Sequence, residues 1–388
     1  MTPLVFLLLA LATLGHFALA LWLFNRLHAR AWNYRLRQVL ERLLVLATFG
    51  IALMYLILLW DVLRGRSSHP LALTPGPSPW DIVAYAYAYF CIGAVLVSLP
   101  LWLLPKLLYR TPAELTTLQT ESVDLRNVAR PTLCGGFPKL CAALPGNEIF
   151  QLHVQRKYLR LPRLPAGLAG LRIAHLTDLH LTGKIGRRFY EEVIRLTNEL
   201  KPDLVVLTGD IAEKEKCLPW IEPLFSPLQA KHGMYYILGN HDFLLPRPQQ
   251  LRNELHRAGM FDLAGTWTRL EINGAPLLLA GNELPWHGPA PQAPPLDEAF
   301  RILLAHTPDL FHWAQREQFD LMLAGHNHGG QICLPFLGAL VSPSNYGVRY
   351  AAGMFRQGPT LLHVGRGIAG EHLLRWNCPP ELTLLVLE

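Results

Sequence analysis

Five short polar clusters hold the side chains of this sequence best suited to chemistry. They are Asp178-Leu179-His180, Gly209-Asp210, Gly239-Asn240-His241-Asp242, His306-Thr307-Pro308-Asp309 and Gly325-His326-Asn327-His328-Gly329-Gly330. Carboxylates, one carboxamide and several imidazoles form a donor set suited to borderline divalent cations, rather than to calcium or thiolate-bound zinc. Asp178 and His180 are two apart, so in extended chain they share a face at a strand end. His326 and His328 repeat that spacing inside a glycine-flanked loop. The glycines before Asp210 and Asn240 allow tight turns and close backbone approach to a ligand. Two cations about 3.5–4 Å apart can neutralise phosphoryl oxygens and present a bridging hydroxide in line with a leaving group. Holding two cations that close calls for one shared carboxylate. The clusters together imply a two-cation site for phosphate-ester hydrolysis.

Taken singly, each cluster also has an ordinary structural explanation. Asn240 alone is a common turn residue, and His306 before Thr-Pro could simply enter a helix. His287, beside Trp286 in a Pro-rich loop, is either a surface histidine or a substrate contact. The ordered set carries the chemical reading, not any one member.

The elements that must position these clusters are strands. Apolar runs at residues 171–177, 204–208, 234–238, 302–305 and 321–324 each end where a cluster begins. Further strands are predicted at 151–161, the first of its domain, and at 276–280, 360–364 and 381–387. Helical spacing marks 188–200, 248–257 and 309–318. Strands alternating with helices predict a layered α/β domain, whose ligands bind beyond the carboxyl ends of strands.

The first third of the chain reads differently. Only 16% of the 388 residues are charged, against roughly 25% in globular proteins. The deficit is concentrated in apolar stretches at 4–24, 43–62 and 82–104, each of about 20 residues and so able to cross a bilayer. The organisation predicted is a transmembrane region over 1–110 with about three helices, a linker over 111–150 and a catalytic domain over 151–388. A short interfacial helix is expected at 111–118. Arg26, Arg30, Arg35, Arg37 and Arg42 make the first inter-span loop the most basic, which predicts that loop and everything after Leu104 to be cytoplasmic. The localisation expected is multi-pass in a bacterial inner or plasma membrane. The net charge of +6 suits contact with anionic lipid, and no dense basic run with interleaved aromatics points to a nucleic-acid polymer. Six scattered cysteines without CxxC spacing suit a reducing compartment.

The five clusters, in their order, resemble the calcineurin-like metallophosphoesterases, whose pattern runs D-x-H, G-D, G-N-H-[DE], a lone H, then G-H-x-H. The resemblance covers roughly residues 150–388. With Cys378-Pro379-Pro380-Glu381-Leu382-Thr383, it is similar most of all to a bacterial membrane-associated branch that includes enzymes acting on nucleotide-linked lipid precursors. It implies an α/β metallophosphoesterase β-sandwich flanked by helices, preceded here by the α-helical transmembrane region. It implies one metal held by Asp178, His180, Asp210 and His328, and a second by Asp210, Asn240, His306 and His326, with Asp210 bridging. His241 would contact the substrate phosphate and protonate the leaving oxygen, and Asp242 would orient His241. Asn327 fills the variable position and receives no role. The cofactors expected are two divalent ions, manganese first, with iron or zinc as alternatives. The function expected is hydrolysis of a phosphodiester or pyrophosphate, with a nucleotide-linked lipid among the substrates. The alternatives are a phosphomonoesterase or protein phosphatase and, less favoured, a non-catalytic receptor or transporter component. Lys184, Arg187, Arg188, Arg349, Arg366 and Arg375 are either contacts for the rest of an anionic substrate or solvated or membrane-facing charge, and are left outside the site.

Overall fold

The computed structural model describes residues 3–64, 79–292, 296–370 and 372–388, and divides into two compact units, Met1–Arg110 and Thr111–Glu388. Residues 67–79, rich in Pro, Gly and Ser and expected from sequence as the loop between the second and third apolar stretches, lie almost entirely outside the described residues.

The first unit consists of α1 (Pro3–His28), α2 (Tyr34–Leu63) and α3 (Pro79–Leu107). Each contains a stretch long and apolar enough to cross a membrane, at Phe6–His28, Arg35–Ile57 and Ile82–Leu107. The arginines expected in the first loop lie largely within helices: Arg26 on α1, and Arg35, Arg37 and Arg42 on α2. A long arginine side chain can sit at a helix end and still carry its charge to the interface, so α2 starts earlier than its apolar run. The helices pack tightly. A Cβ on Gly15 of α1 would lie 1.8 Å from the Cys91 carbonyl oxygen of α3, the small-residue approach that lets membrane helices meet. His16 is buried with its two ring nitrogens 2.7 Å from the Tyr87 hydroxyl and 2.9 Å from the Thr48 carbonyl.

The second unit is built on two sheets. The first joins β1 (Leu115–Asp124), β2 (Gln151–Leu159), β3 (Arg172–Leu176), β4 (Leu204–Thr208), β5 (Met234–Ile237) and β6 (Phe261–Asp262). The second joins β7 (Trp267–Ile272), β8 (Ala275–Asn282), β9 (Phe300–Ala305) and β10 (Leu321–Ala324). After the two-stranded hairpin β11 (Cys333–Leu334) and β12 (Gly338–Ala339), the chain adds β13 (Gly353–Gln357) and β14 (Thr360–Val364) to the second sheet. It then returns to the first as β15 (Glu381–Leu387). The sheet orders are β1-β2-β15-β3-β4-β5-β6 and β13-β14-β10-β9-β8-β7.

Burial on both faces explains the uninterrupted apolar runs in the central strands. Val205 and Leu207 of β4 point to a core shared with the helices, whereas Leu204 and Val206 point to Ile302 and Leu323 across the sandwich. The helical cover on this side includes α6 (Arg187–Glu199), α7 (Leu218–Phe225) and α8 (Pro248–Arg257), and α9 (Phe311–Arg316) covers the second sheet. On α6, Phe189, Val193 and Leu196 are buried at helical spacing while Arg188, Glu191 and Arg195 face solvent. Each such side chain contributes about 1.5–3 kcal/mol of apolar burial, so Val193→Asp would detach this helix first.

The segment 111–150, expected to be a linker, folds with the second unit. Residues of β1 pair antiparallel along β2 from Leu115↔Leu159 to Asp124↔Gln151, so the first strand is β1 and no helix forms at 111–118. Then α4 (Arg126–Ala129) and α5 (Gly136–Ala143) send Leu125, Ala129, Leu133, Cys141 and Ala142 into the core. The signal was hard to see because β1 is largely exposed and mostly polar (LTTLQTESVD). Backbone pairing with β2, not burial of alternate side chains, makes it a strand.

Candidate metal centre

The two sheets bring their parallel strand ends to one place. Asp178 and His180 follow β3, Asp210 follows β4, and Asn240 and His241 follow β5 of the first sheet, where β3, β4 and β5 run parallel. His306 follows β9, and His326 and His328 follow β10, the parallel pair at the centre of the second sheet. Donors far apart in sequence thus meet where the sandwich faces end.

Two donor groups form there and share one residue. Asp178, His180, Asp210 and His328 each place a ligand atom within 4.8 Å of the others, as do Asp210, His306 and His326. His180 Nε2 lies 2.9 Å from His328 Nε2 and 3.7 Å from Asp210 Oδ2. His306 Nε2 lies 3.2 Å from Asp210 Oδ2, 3.2 Å from His326 Nδ1 and 3.1 Å from Asn240 Oδ1. All seven residues expected as ligands therefore converge, with Asp210 in both groups and Asn240 beside the second.

The backbone is bent to allow this. Asp178, His180, Asp210, His326 and His328 all have left-handed φ, at 54°, 47°, 52°, 71° and 50°, a region uncommon for residues with a Cβ. Such strain costs about 1–3 kcal/mol per residue and persists where the surroundings enforce it, commonly at functional sites. Two glycines make room for the ligands. A Cβ on Gly239 would sit 2.3 Å from Asp210 Oδ1, and one on Gly325 would sit 2.4 Å from Asp178 Oδ2.

The electrostatics fit cations. Asp178 and Asp210 are buried, and among the described residues no lysine or arginine forms an ion pair with either. Burial pushes the Asp178 carboxyl up, with His306 opposing and Asp210 reinforcing the rise. Burial acts the same way on Asp210, but His306 and His241 outweigh it and hold that carboxylate well below its usual range. Burial also keeps His326 and His328 well below the usual imidazole range, in the neutral form that binds metal. Burial opposes charge on His306, yet Asp210 overrides it and lifts the imidazole to about 9. The facing Nε2 atoms of His180 and His328 cannot both present lone pairs at 2.9 Å without a cation or proton between them. The residues present fit two divalent ions.

Glu213, absent from the sequence expectation, emerges as a central residue. Its Oε1 contacts His180 Nδ1 and lies 3.2 Å from His241 Nδ1. These three also lie within metal-ligand distance of one another, but both imidazoles turn Nδ1 toward the carboxylate, so Nδ1 carries the proton and Nε2 is left for chemistry. Despite the burial of Glu213, His180 and His241 hold its carboxyl far below its usual range. Asp242 does not have the role expected of it. Its Oδ1 accepts from the backbone N–H groups of Ile211 and Ala212, and its Oδ2 from that of Gly239, all at 2.8 Å. Asp242 ties the loops after β4 and β5 together, with burial and the charge of Asp210 pushing it up to about 7. A carboxylate next in sequence to His241 looked like its partner. The 3-residue helical turn at Asp242–Leu244 points the Asp242 side chain the other way, into the fold.

Three other positions differ from expectation. Arg375 is fully buried and donates to the carbonyls of His328, Arg366 and Ala369, bracing the loop that carries His328. Arg366 pairs with Glu381 at 2.8 Å. Neither is surface charge. Trp286 packs its ring 4.9 Å from His326 and 5.5 Å from His306, while the exposed His287 stacks on Phe243. Nothing in a one-dimensional pattern marks Trp286, because its loop reaches the site from β8.

Known proteins share this arrangement of sequence. The family model described as calcineurin-like phosphoesterase matches residues 171–330. The uncharacterized metallophosphoesterase YkuE of Bacillus subtilis is 33% identical over 238 residues, spanning 58% of this chain and 82% of that protein. The phosphodiesterase YaeI of Escherichia coli is 32% identical over 234 residues, spanning 59% of this chain and 86% of that one. This chain belongs to the calcineurin-like metallophosphoesterases. A third relative, the UDP-2,3-diacylglucosamine pyrophosphatase LpxG of Chlamydia muridarum, is 26% identical over 296 residues, spanning 60% of this chain and 88% of that protein. The metallophosphoesterase described here is a metal-dependent phosphoester hydrolase preceded by three helices able to span a membrane.

Proposed function

We propose that this enzyme is a membrane-anchored, binuclear hydrolase of a phosphodiester or pyrophosphate bond, acting on a nucleotide-linked lipid. The observation that carries the reading is the pair of buried donor groups sharing Asp210, with His241 beside them. One ion would be held by Asp178, His180, Asp210 and His328, and the other by Asp210, Asn240, His306 and His326. When bound, such ions neutralise phosphoryl charge and lower the pKa of the attacking water. Manganese is the first choice for both positions.

The protein's own residues do the rest. His241 offers Nε2 to a phosphoryl oxygen and protonates the leaving oxygen, while Glu213 fixes its tautomer and orientation. The same carboxylate orients His180, so substrate contact and cation binding share one support. Similarity to LpxG supports a lipid-linked pyrophosphate, and the helices Phe6–His28, Arg35–Ile57 and Ile82–Leu107 support an anchor that keeps the enzyme where such a substrate is found. The catalytic unit is assigned to the cytoplasmic face of a bacterial inner membrane from the arginine bias.

The test is a rate panel on detergent-solubilised full-length protein, stripped of metal and reloaded with manganese, iron or zinc. A chromogenic diester, a chromogenic monoester and an acylated nucleotide sugar are compared. The reading expects metal-dependent turnover with the acylated nucleotide sugar favoured. A strong monoester preference would establish the phosphomonoesterase alternative instead. A reporter fused after Glu388 should respond as a cytoplasmic one.

A further inference from the structure

Residues 331–343, Gln-Ile-Cys-Leu-Pro-Phe-Leu-Gly-Ala-Leu-Val-Ser-Pro, form a thirteen-residue run without a charge in the catalytic unit. They are not core. Ile332, Leu334, Leu337 and Val341 are all exposed, and Phe336 at the tip is fully exposed. The run folds as the β11–β12 hairpin, closed by a bond from Leu337 N–H to the Pro335 carbonyl at 2.7 Å.

This hairpin is firmly placed. At its base the Cys333 N–H donates to the Trp376 carbonyl at 2.9 Å, and Asn377 Nδ2 donates to the Cys333 carbonyl at 3.0 Å. At its far end Asp309 accepts from Ser344 Oγ at 2.5 Å and from the Asn345 N–H at 2.9 Å. Both legs begin and end at the metal centre: the run starts after His328-Gly329-Gly330, and His326 Nε2 lies 2.9 Å from the Pro343 carbonyl. The apolar surface continues past the hairpin. Trp376 is 55% exposed and abuts the turn at Gly146, which follows α5, where Phe137, Leu140 and Leu144 are exposed too. Exposed cations, Lys139 and Arg130, lie on that same segment.

We propose that this surface is a lipid-docking face: the hairpin tip and Trp376 enter the interfacial layer of the bilayer, and Lys139 and Arg130 meet anionic headgroups. Contiguous exposed apolar surface of this kind marks an interaction site. A face combining apolar insertion with adjacent cations matches a membrane interface in particular. The chain itself supplies the bilayer. Only residues 108–114 separate the end of α3 at Leu107 from the start of β1 at Leu115. At full extension eight residue steps reach roughly 28 Å, so a short tether joins the catalytic unit to a helix able to span a bilayer. Docking would bring the metal centre to headgroup level. That consequence for substrate access rests on the lipid-linked reading above; the docking itself does not.

The experiment uses the full chain reconstituted in phosphatidylcholine–phosphatidylglycerol vesicles. Phe336→Cys, on a Cys134→Ser background, carries an environment-sensitive fluorophore. Acyl-chain doxyl lipids and aqueous iodide serve as the two quenchers. The expected result is a loss of fluorescence with doxyl lipid that exceeds the loss with iodide, as for a side chain entering the interface. A label quenched by iodide alone would overturn the proposal. So would a label shielded from both quenchers, which would mean cover by the chain's own helices or by a second copy. Leu334→Cys repeats the measurement one strand away if the tip label perturbs folding. Neither readout needs turnover, so a docked but inactive enzyme would reject the proposed substrate while leaving the docking intact.

Discussion

Two dense clusters of buried ionisable groups lie in the catalytic unit, and they solve the problem of burial in opposite ways. In the first, Lys157 of β2 donates to Glu381 of β15 at 2.7 Å and to His363 Nε2 of β14 at 2.7 Å. His363 Nδ1 then faces His175 Nδ1 at 3.0 Å, and His175 Nε2 meets the Thr208 hydroxyl at 2.8 Å. Because Lys157 can only donate, His363 must carry its proton on Nδ1 and His175 on Nε2, and every polar atom in the row finds a partner. Arg366 completes the neutralisation of Glu381 at 2.8 Å. The metal centre has Asp178, Asp210, Glu213 and Asp242 with imidazoles and backbone N–H groups around them. One cluster carries its own cations; the other is built to receive them. The difference separates a structural polar core from a site, although both are equally buried.

The contrast is broken most directly at Asp210, the one carboxylate in both donor groups. Asp210→Asn should lower kcat/KM by roughly a thousand-fold, since loss of the shared ligand weakens both ions, and metal analysis should show fewer than two ions per chain. Full rate with normal metal content would refute the shared-ligand role. Glu381→Ala should do the reverse. It leaves Lys157 buried without its carboxylate, a loss of about 3–5 kcal/mol in stability, while the folded fraction keeps its metal. Thermal unfolding with metal analysis of the same samples separates the two outcomes. A Glu381→Ala protein that loses metal at unchanged stability would erase the distinction.

How much of this was visible in the sequence follows the same line. Asp178, His180, Asp210, Asn240, His306, His326 and His328 could be found because strand ends are local features and glycines mark the turns. The strands β3, β4, β5, β8, β9, β10, β14 and β15 were recognisable from short apolar runs, and β2 from the alternation in its sequence. Partnerships were not. Glu213 and Asp242 are both acidic and both near a ligand, and only the direction of a short helical turn decides which of them meets His241. Lys157 and Glu381 sit 224 positions apart, joined by a parallel pairing of β2 with β15 that no local pattern announces. The exposed β1 has no burial alternation to read, and so its segment passed for a linker.

Glu213 sharpens the comparison within the metal centre. Glu213→Gln keeps the size of the side chain but removes the charge that holds His180 and His241 in one tautomer. Loss of such an orienting carboxylate typically costs about 10–100-fold in metal affinity or activity. The expected result is a drop of that order in kcat, with the alkaline limb of the pH–rate profile, where the proton for the leaving oxygen is lost, moved to lower pH. Asp242→Asn, which keeps one acceptor oxygen for the three N–H groups, should affect thermal stability more than the pH profile. Equal pH profiles for the two variants would remove the special position of Glu213.

A further expected effect tests the polar core itself through pH. Burial, together with Lys157, pulls His363 down to about 4, against about 6.5 for the unfolded chain. Between those values the unfolded state binds a proton that the folded state refuses, so stability falls as pH is lowered through this window. Above about pH 6.5 both states leave His363 neutral, and its contribution is flat. Thermal unfolding of wild type and His363→Gln, both saturated with metal, should therefore converge as pH drops from 6.5 toward 4, because the variant has no proton to exclude. Parallel curves would mean that His363 is protonated in the fold. The His363 Nε2 lone pair that accepts from Lys157 would then be gone, and the polar core would no longer be the self-neutralised partner of the metal centre.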